Sequence, residues 1–192
     1  MTDVELSQDA ATLLARVTAA LGNPARLGVA FSGGVDSSVL LAVATRSLGP
    51  SRTLAVLGVS ASLAGAERRE AHAVAAAIGA PLVELVTNEL ERPEYRANGP
   101  DRCFHCKTEL FERIDDELVS RYGLSAVAYG ENADDARRPD RPGAKAATNH
   151  QVLRPLADAG LTKAEVRRLA AELKLPVADK PAAPCLASRI PH

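Results

Sequence analysis

The segment that most constrains the fold of this chain lies at residues 28–38, where an apolar run passes through Ser-Gly-Gly-Val-Asp-Ser-Ser into a stretch of helical periodicity. Gly33 and Gly34 let the backbone turn sharply and bring its N–H groups close to a ligand. The start of the following helix adds unpaired N–H groups and the positive end of the helix dipole. The order of strand, glycine loop (residues 31–34) and helix predicts an α/β fold with an anion site at the end of a strand.

The polar side chains around the glycine loop indicate which anion it binds. Ser32, Ser37 and Ser38 supply hydroxyl donors for phosphate oxygens. Asp36 cannot attract phosphate itself, but its carboxylate suits Mg²⁺, which bridges a pyrophosphate. The segment lacks the Gly-Lys-Ser/Thr ending of a Walker loop and the Gly-x-Gly-x-x-Gly pattern of dinucleotide-binding folds. The alternative is a glycine turn with a Ser/Asp helix cap. Such a turn does not need all five specified residues between a strand and a helix, which argues against it.

The rest of the chain alternates short aliphatic runs with longer helical stretches, which predicts βαβ units and a Rossmann-like parallel sheet flanked by helices. The predicted strands are residues 27–31, 53–59, 81–86 and 125–129, and the predicted helices are residues 3–21, 37–48, 65–78, 102–122 and 162–174. Thr162 and Glu165 form a capping box that opens the last helix, and residues 163–168 are interpreted as a solvated face. Prolines and charges over residues 131–150 predict a long polar loop.

Composition and charge argue against several classes of protein. Of the 192 residues, 46% are apolar and 24% are charged, as in a globular domain. No apolar run approaches the ~20 residues that cross a bilayer. The N-terminus lacks the basic start and apolar stretch of a signal peptide, so we expect a cytoplasmic protein without a membrane partner. The net charge of −1 lacks the basic excess typical of nucleic-acid-binding proteins.

Three cysteines are present, an odd number that favours metal ligation or catalysis over disulfides in a reducing compartment. The spacing of Cys103 and Cys106 puts both thiols on one face of a helix, and the helix N-terminus is expected to lower their pKa. Cys185 lies in a segment without periodicity. Zinc needs a fourth ligand, for which His150 and His192 are only conceivable, whereas three thiolates suit an iron–sulfur cluster with one open iron. A single buried cysteine is the alternative for each position.

The glycine loop and its flanking residues resemble the PP-loop of the N-type ATP pyrophosphatases. That resemblance implies the adenine nucleotide alpha hydrolase fold, cleavage of ATP between its α and β phosphates, and transfer of AMP to a substrate. The residues that it implies for nucleotide binding are Ala30, Ser32, Gly33, Gly34, Asp36, Ser37, Ser38 and Gly130.

Four further motifs follow the glycine loop in order. They are Asn98-x4-Cys103-x2-Cys106-Lys107, Gly130-x-Asn132-Ala133-Asp134-Asp135, Arg141-Pro142-Gly143 and Asp179-Lys180-Pro181-Ala182-x2-Cys185-Leu186-Ala187-Ser188-Arg189-Ile190-Pro191. Together they resemble the LarE family, the ATP-dependent sulfur transferases of nickel-pincer nucleotide synthesis. The resemblance implies adenylation of a carboxylate of pyridinium-3,5-biscarboxylic acid mononucleotide and its conversion to a thiocarboxylate, with ATP and Mg²⁺ as cofactors.

The resemblance also implies roles for single residues. One branch of the family gives up the sulfur of a cysteine that matches Cys185 and leaves dehydroalanine. The other branch holds a [4Fe–4S] cluster on cysteines that match Cys103, Cys106 and Cys185, and this sequence matches that branch. Asp36, Cys185 and Arg189 are the expected catalytic residues. The guanidinium group of Arg189 suits a phosphate or an adenylate, and the alternative is that Arg189 is simply exposed to solvent.

The family pattern gives one PP-loop ATP pyrophosphatase domain over residues 1–192, without the second, C-terminal region expected for the family. The expected partners are the small nucleotide substrate, a sulfide or persulfide donor and further copies of the chain. A tRNA thiolase of the same superfamily, and a nucleotide-binding or zinc-binding module without catalysis, are the competing interpretations. Near-neutral charge argues against the tRNA thiolase.

Overall fold

The centre of the molecule is a four-stranded parallel sheet in a computed structural model that describes residues 5–138, 142–181 and 185–189. The strands are β1 (Leu27–Ala30), β2 (Thr53–Val59), β3 (Leu82–Val86) and β4 (Ala126–Tyr129), in the order β3-β2-β1-β4. All three strand pairs are parallel, and Leu27 of β1 lies opposite both Thr53 and Ala126. The predicted α/β fold with a parallel sheet is confirmed.

Helices cover both faces of this sheet. They are α1 (Gln8–Leu21), α2 (Val35–Leu48), α3 (Gly65–Ile78), α4 (Pro93–Arg96), α5 (Arg102–Arg113), α6 (Ser120–Tyr122), α7 (Ala133–Ala136), α8 (Pro142–Asn149), α9 (Pro155–Asp158) and α10 (Lys163–Glu172). Helices α1, α2, α3 and α10 share one aliphatic core with one face of the sheet. Helices α5 and α8 form a second core with the other face. The small aliphatic side chains of the composition fill both cores.

Helix ends follow local capping chemistry. Helix α1 begins after Ser7, whose Oγ accepts a hydrogen bond from Ala10 N at 3.3 Å, whereas the sequence predicted a start at residue 3. The capping box of α10 is confirmed, because Thr162 Oγ1 accepts from Glu165 N at 3.3 Å and Glu165 Oε2 accepts from Thr162 N at 2.8 Å. That helix ends at Glu172, two residues before the predicted end.

The long polar loop predicted over residues 131–150 is wrong. The segment contains α7 and α8, with residues 139–141 outside the described part of the chain. Ala146 and Ala147 of α8 are fully buried and pack in the core that also holds Phe111 of α5. The helix has only eight residues, so the surrounding charges and prolines masked it.

The predicted helix over residues 102–122 is continuous in space but changes its winding. Six residues, Ile114–Val119, form a π-helical segment between α5 and α6. Ile114 and Leu118 of this segment are buried in the second core. Such segments insert an extra residue per turn, which no hydrophobic periodicity reveals.

The strand order creates a switch point between β1 and β4. After β1 the chain runs outward through β2 and β3, then crosses back to place β4 on the other side of β1. Ligands of open α/β sheets bind in the crevice at the carboxyl ends of such strands. The glycine loop follows β1 and Gly130 follows β4, so both lie at this crevice. In the described residues, no helix has the length and apolar character needed to span a membrane.

Candidate active site

The glycine loop is held in shape by its own hydrogen bonds. The hydroxyl of Ser37 donates to the carbonyl of Gly34 at 3.1 Å, and Ser32 N donates to the same hydroxyl at 3.3 Å. Gly33 has a φ of +72°, and a Cβ there would lie 3.0 Å from Ala71 of α3. Glycine is therefore required at this position both for its backbone conformation and for close packing. Helix α2 begins at Val35, and its N-cap residue Gly34 has no side chain to cap it, so a Ser/Asp capped turn does not explain the motif.

Gly130 is the second close approach in the crevice. A Cβ on Gly130 would lie 2.6 Å from Ser37 N and 2.7 Å from Asp36 C. The end of β4 therefore contacts the first turn of α2 through backbone alone. This contact joins the glycine loop to the opposite side of the switch point.

The first cavity, of about 370 Å³, lies between the carboxyl edge of the sheet and α5. Six of the eight predicted nucleotide-binding residues line it: Ala30, Ser32, Gly34, Asp36, Ser37 and Gly130. Gly33 does not line it, and Ser38 is fully buried in α2. Apolar walls come from Phe31, Leu57, Leu63, Leu110 and Phe111. An apolar cleft with polar groups at one end suits a small molecule with a flat ring and an anionic tail.

Asp36 is paired in a way that the sequence did not reveal. Its Oδ2 accepts a hydrogen bond from Lys163 Nζ at 2.6 Å, across 127 residues of sequence. Its Oδ1 is buried and has no hydrogen-bond partner among the described residues. A carboxylate with one free buried oxygen beside an anion loop fits the donor chemistry of Mg²⁺. Asp36 is the residue that would hold the ion.

The interpretation of residues 163–168 as a solvated face is wrong for three of them, since Val166 is fully buried in the core. Lys163 holds Asp36, and Arg167 donates to the carbonyls of Ala178 and Lys180, both at 2.9 Å. The spacing of a capping box identifies where a helix starts but not which neighbour its side chains reach. The pairing of Lys163 with Asp36 therefore could not be predicted without the tertiary structure.

A second cavity, of about 280 Å³, opens on the other side of the glycine loop. It shares Ser32, Gly34, Asp36, Ser62, Leu63 and Cys185 with the first cavity. Lys163, Arg167 and Lys180 add positive charge to its lining. Lys180 Nζ is hydrogen-bonded to Glu67 at 2.7 Å and to Glu70 at 2.9 Å. The glycine loop therefore separates a mainly apolar cleft from a basic one.

The structure brings two of the three cysteines together. Cys106 and Cys185 both line the first cavity, and Cys185 lines the second as well. Cys103 is exposed and lines neither. Within the part of the chain that the structure describes, no group of three His, Cys, Asp or Glu side chains is placed to hold a metal ion.

The electrostatic environment of Cys106 differs from the expectation of a lowered thiol pKa. Burial raises the pKa of the Cys106 thiol to about 12, and the negative charge of Glu89 acts in the same direction. The neighbouring Cys185 and Cys103 raise it further, while Lys107 lowers it. The expectation is wrong for Cys106, because desolvation outweighs the field of the helix N-terminus.

Several residues of the first cavity were missed at the level of sequence. Glu89 is 2% exposed, accepts a hydrogen bond from Ser60 Oγ, and has a second carboxylate oxygen without a partner among the described residues. The hydroxyls of Tyr95 and Ser62 lie 2.8 Å apart. Lys107 lies over the ring of Tyr129, 4.3 Å from its centroid. Of these, only Lys107 belonged to a motif, and isolated polar residues in connecting segments carry no periodic signal.

The other predicted site residues are hydrogen-bonded to neighbouring residues or have side chains outside the described part of the chain. The carboxylate of Asp134 accepts from Lys163 N at 2.8 Å, and that of Asp135 accepts from the Asn132 amide at 2.9 Å. The backbone of Arg189 belongs to a short 3₁₀ helix, Leu186–Arg189, while its side chain lies outside the described part. The C-terminal segment 185–189, the tail, is held against α5 by Arg102, which donates a hydrogen bond to Ala187 O at 2.9 Å.

Comparison with known proteins agrees with this geometry. The family model described as asparagine synthase matches residues 10–129, which include the glycine loop and all four strands. Pyridinium-3,5-bisthiocarboxylic acid mononucleotide synthase of Lactiplantibacillus plantarum is 32% identical over 182 residues, which are 95% of this chain and 65% of the relative.

Two uncharacterized proteins are also similar. The Synechocystis protein is 42% identical over 164 residues, which are 85% of this chain and 60% of the relative. The Methanocaldococcus jannaschii protein is 34% identical over 92 residues, which are 48% of this chain and 35% of the relative. The chain thus spans 60% and 65% of the length of the Synechocystis and Lactiplantibacillus relatives.

Proposed function

The chain belongs to the asparagine synthase family of PP-loop proteins and, within it, to the LarE family, and on that premise we propose that it is an ATP-dependent sulfur transferase of nickel-pincer nucleotide synthesis. One observation carries the proposal. The glycine loop and two cysteines, Cys106 and Cys185, line the same cavity. A nucleotide phosphate and a sulfur atom can therefore meet in one space.

The first chemical step is adenylation. A carboxylate oxygen of the substrate attacks the α-phosphorus of ATP, the bond to the oxygen that bridges the α and β phosphates breaks, and pyrophosphate leaves. The loop supplies preorganised backbone N–H groups at the start of α2, and the Ser32 hydroxyl lies beside them, 3.1 Å from the hydroxyl of Ser37. Mg²⁺ held at Asp36 would neutralise charge on the leaving pyrophosphate. The apolar walls of the first cavity suit the adenine ring.

The second step transfers sulfur, and we assign it to Cys185. It lines both cavities, so it borders the space on each side of the glycine loop. Its thiolate attacks the acyl carbon, and AMP leaves as the acyl carbon–oxygen bond breaks. Cleavage of the sulfur–Cβ bond, with loss of the Cα proton, then yields the thiocarboxylate and leaves dehydroalanine.

The cluster implied by the family resemblance was tested against the described residues. Cys103 is exposed and lies outside the cavity that Cys106 and Cys185 share. The three thiols in this arrangement do not fit a [4Fe–4S] cluster, so no step is derived through one. The cluster stays a prediction, and iron and sulfide analysis of anaerobically purified protein tests it.

The proposed substrate is a carboxylate of pyridinium-3,5-biscarboxylic acid mononucleotide. The Lactiplantibacillus relative is named for the synthesis of the corresponding bisthiocarboxylic acid mononucleotide. Arg167 lines the second cavity with Cys185 and is hydrogen-bonded to neutral carbonyls, so its positive charge favours an anionic substrate there. We propose that residues 1–192 form one PP-loop domain and that this domain shares the activity of its longer relatives.

The deciding experiment incubates the protein with ATP, Mg²⁺ and this substrate, and follows pyrophosphate and the product mass. Wild type should release pyrophosphate and exchange one oxygen for sulfur. Cys185→Ala should release pyrophosphate but form no sulfur product. If Cys103→Ala and Cys106→Ala retain one full sulfur transfer, Cys185 is the donor and the cluster is excluded. Sulfur transfer by Cys185→Ala would overturn the assignment of that residue.

A further inference from the structure

Glu89 is a buried carboxylate that the adenylation step leaves without a role. It is 2% exposed, begins the short 3₁₀ helix Glu89–Glu91 after β3, and lines the first cavity. One of its carboxylate oxygens accepts a hydrogen bond from Ser60 Oγ. The other, Oε2, is shielded from solvent and has no hydrogen-bond partner in the described residues. Because burying a polar oxygen without a partner is unfavourable, folding alone does not account for this arrangement.

The segment after β2 connects Glu89 to the tail that carries Cys185. The hydroxyl of Ser60, which donates to Glu89, accepts a hydrogen bond from Ser62 N at 3.1 Å. The carbonyl of Ser62 in turn accepts from Leu186 N at 3.3 Å. That N–H belongs to the peptide bond that joins Leu186 to Cys185. Three hydrogen bonds therefore link the carboxylate of Glu89 to the backbone of the cysteine.

The phenol of Tyr95 lies near both Glu89 and Cys185. Its hydroxyl is 2.8 Å from Ser62 Oγ, in the same segment after β2. Burial raises the pKa of this phenol, and the negative charges of Cys106, Glu89 and Cys185 act in the same direction. Both the carboxylate and the thiol thus lie close enough to one phenol to influence its ionisation. A phenol with a raised pKa is almost never ionised near neutral pH, so Tyr95 is not available as a base.

The proposed sulfur transfer requires a base beside Cys185. Once the thiolate of Cys185 has displaced AMP, the sulfur is part of a thioester and must separate from Cβ. It separates when a base removes the Cα proton, because the electron pair of that C–H bond then forms a Cα–Cβ double bond. Asp36 is the other carboxylate that lines the first cavity, but it is paired with Lys163 and assigned to Mg²⁺. Glu89 is the carboxylate of the described lining that has no such assignment.

We propose that Glu89 is a catalytic residue, the base that removes the Cα proton of Cys185 when the sulfur leaves. The inference rests on the proposed sulfur transfer from Cys185. Oε2 of Glu89 takes the proton, the C–H electron pair becomes the second Cα–Cβ bond, and the sulfur–Cβ electron pair leaves with the thiocarboxylate. Glu89 ends as a carboxylic acid, and position 185 ends as dehydroalanine. Ser60, hydrogen-bonded to the other oxygen, holds the carboxyl group in place.

Glu89→Gln should stop the reaction at the thioester. The amide keeps the size of the side chain and a hydrogen bond to Ser60 but accepts no proton, so one round of pyrophosphate release should still occur. With ATP, Mg²⁺ and substrate, mass spectrometry of the intact protein should find the acyl group still bonded to Cys185, whereas wild type should show dehydroalanine. Thiocarboxylate formation should fall about 10²- to 10⁴-fold, the contribution of one general base. Glu89→Asp retains a carboxylate and should form dehydroalanine, more slowly than wild type.

Glu91→Gln is the matched control, because Glu91 is exposed and belongs to the same short helix. It should form dehydroalanine at the wild-type rate.

Two results would refute Glu89 alone, provided that wild type forms dehydroalanine. One is dehydroalanine at the wild-type rate in Glu89→Gln. The other is a loss of both pyrophosphate release and sulfur transfer with a lower melting temperature, which indicates a structural role. A wild type that forms the thiocarboxylate without dehydroalanine refutes Cys185 as the sulfur donor, and the Glu89 proposal with it. A wild type that releases no pyrophosphate refutes the proposed function itself, and both assignments fall.

Discussion

The two walls of the first cavity are held in place by different kinds of interaction. On the loop wall, Ser32, Gly34 and Ser37 bond to one another within six residues, and Gly130 packs against the same turn. On the cysteine wall, α5 and the tail approach from 79 residues apart, because Cys106 and Cys185 lie that far apart in sequence. Two hydrogen bonds hold the tail at the cavity: Arg102 donates to Ala187 O, and Leu186 N donates to Ser62 O.

This difference has a functional consequence. A loop fixed by short-range hydrogen bonds keeps its shape whether or not a ligand is bound, so the loop wall is preorganised for phosphate. A wall assembled from distant segments by a few exposed or half-buried contacts opens at lower free energy than the core. Phosphate binding should therefore depend on the loop wall, whereas sulfur transfer should depend on both walls.

The largest effect is expected from Asp36→Ala, which removes the cation-binding carboxylate from the loop wall. Pyrophosphate release should fall about 10²- to 10³-fold, as when one preorganised charge-stabilising group is lost. Asp9→Ala is the control, since the Asp9 side chain is 79% exposed and remote from both cavities. Pyrophosphate release at the wild-type rate in Asp36→Ala, measured with substrate present, would contradict the assignment of this carboxylate.

The second effect tests the contact between the two sides of the switch point. In Gly130→Ala the new Cβ would lie 2.6 Å from a backbone nitrogen of α2, so β4 and the glycine loop must separate. We expect a loss of about 1–3 kcal/mol in the free energy of unfolding, as for an overpacked core. AMP affinity should fall as well.

Gly65→Ala is the matched control for Gly130→Ala. Apart from the backbone of its own helix, a Cβ there would have its nearest neighbour 3.6 Å away, at the end of the Arg69 side chain. Thermal unfolding and AMP titration measure both variants. If Gly130→Ala binds AMP as wild type does, the backbone contact is not what shapes the phosphate site.

A smaller effect, confined to the cysteine wall, is expected from Arg102→Met. The Arg102 side chain is buried and donates to the carbonyl of Ala187, so its loss should free the tail that carries Cys185. Sulfur transfer should fall several-fold while AMP affinity stays unchanged. Hydrogen exchange at the Leu186 amide should become faster. Arg96→Met, an exposed change in α4, serves as control. Equal losses of AMP binding and sulfur transfer would show that the two walls are not independent.

The same contrast explains how far the sequence could predict this molecule. The loop wall is local: a strand, two glycines, three serines and Asp36 lie within a dozen residues, so their chemistry was evident from order alone. The strands were predicted to within one residue at each end because aliphatic runs bounded by turns are a strong signal. Helix α8 was missed because it has only eight residues and follows a run of charges and prolines that is typical of a loop.

What the sequence could not give were contacts between distant segments. The pairing of Lys163 with Asp36 spans 127 residues, and the burial of Glu89 beside Cys106 depends on how a connecting segment packs. Spacing predicted that Cys103 and Cys106 share a helical face. Yet one is exposed and the other lines the cavity, because α5 meets the sheet with only part of that face. Proximity of this kind is a property of the tertiary fold.

The smallest effect concerns the reactivity of the three thiols. Burial raises the pKa of Cys106 to about 12, so at pH 8 its reactive thiolate is only about one part in ten thousand of the total. With iodoacetamide, Cys106 should be alkylated more slowly than the exposed Cys103 and Cys185. Its rate should keep rising with pH up to about 12, because the thiolate fraction saturates only above the pKa.

Repeating the alkylation in the presence of AMP tests which of the three thiols lie next to the bound nucleotide. AMP in the first cavity should slow alkylation of Cys106 and Cys185 several-fold, since both line it, and should leave Cys103 unchanged. Mass spectrometry of peptides at several times, with and without AMP, gives all three rates, and Cys103 is the internal control. Protection of Cys103 equal to that of Cys185 would mean that the three thiols converge when nucleotide binds. The cysteine wall would then rearrange into the three-thiol site that a cluster requires, because the ordering of cluster ligands and the binding of nucleotide would share one conformational change.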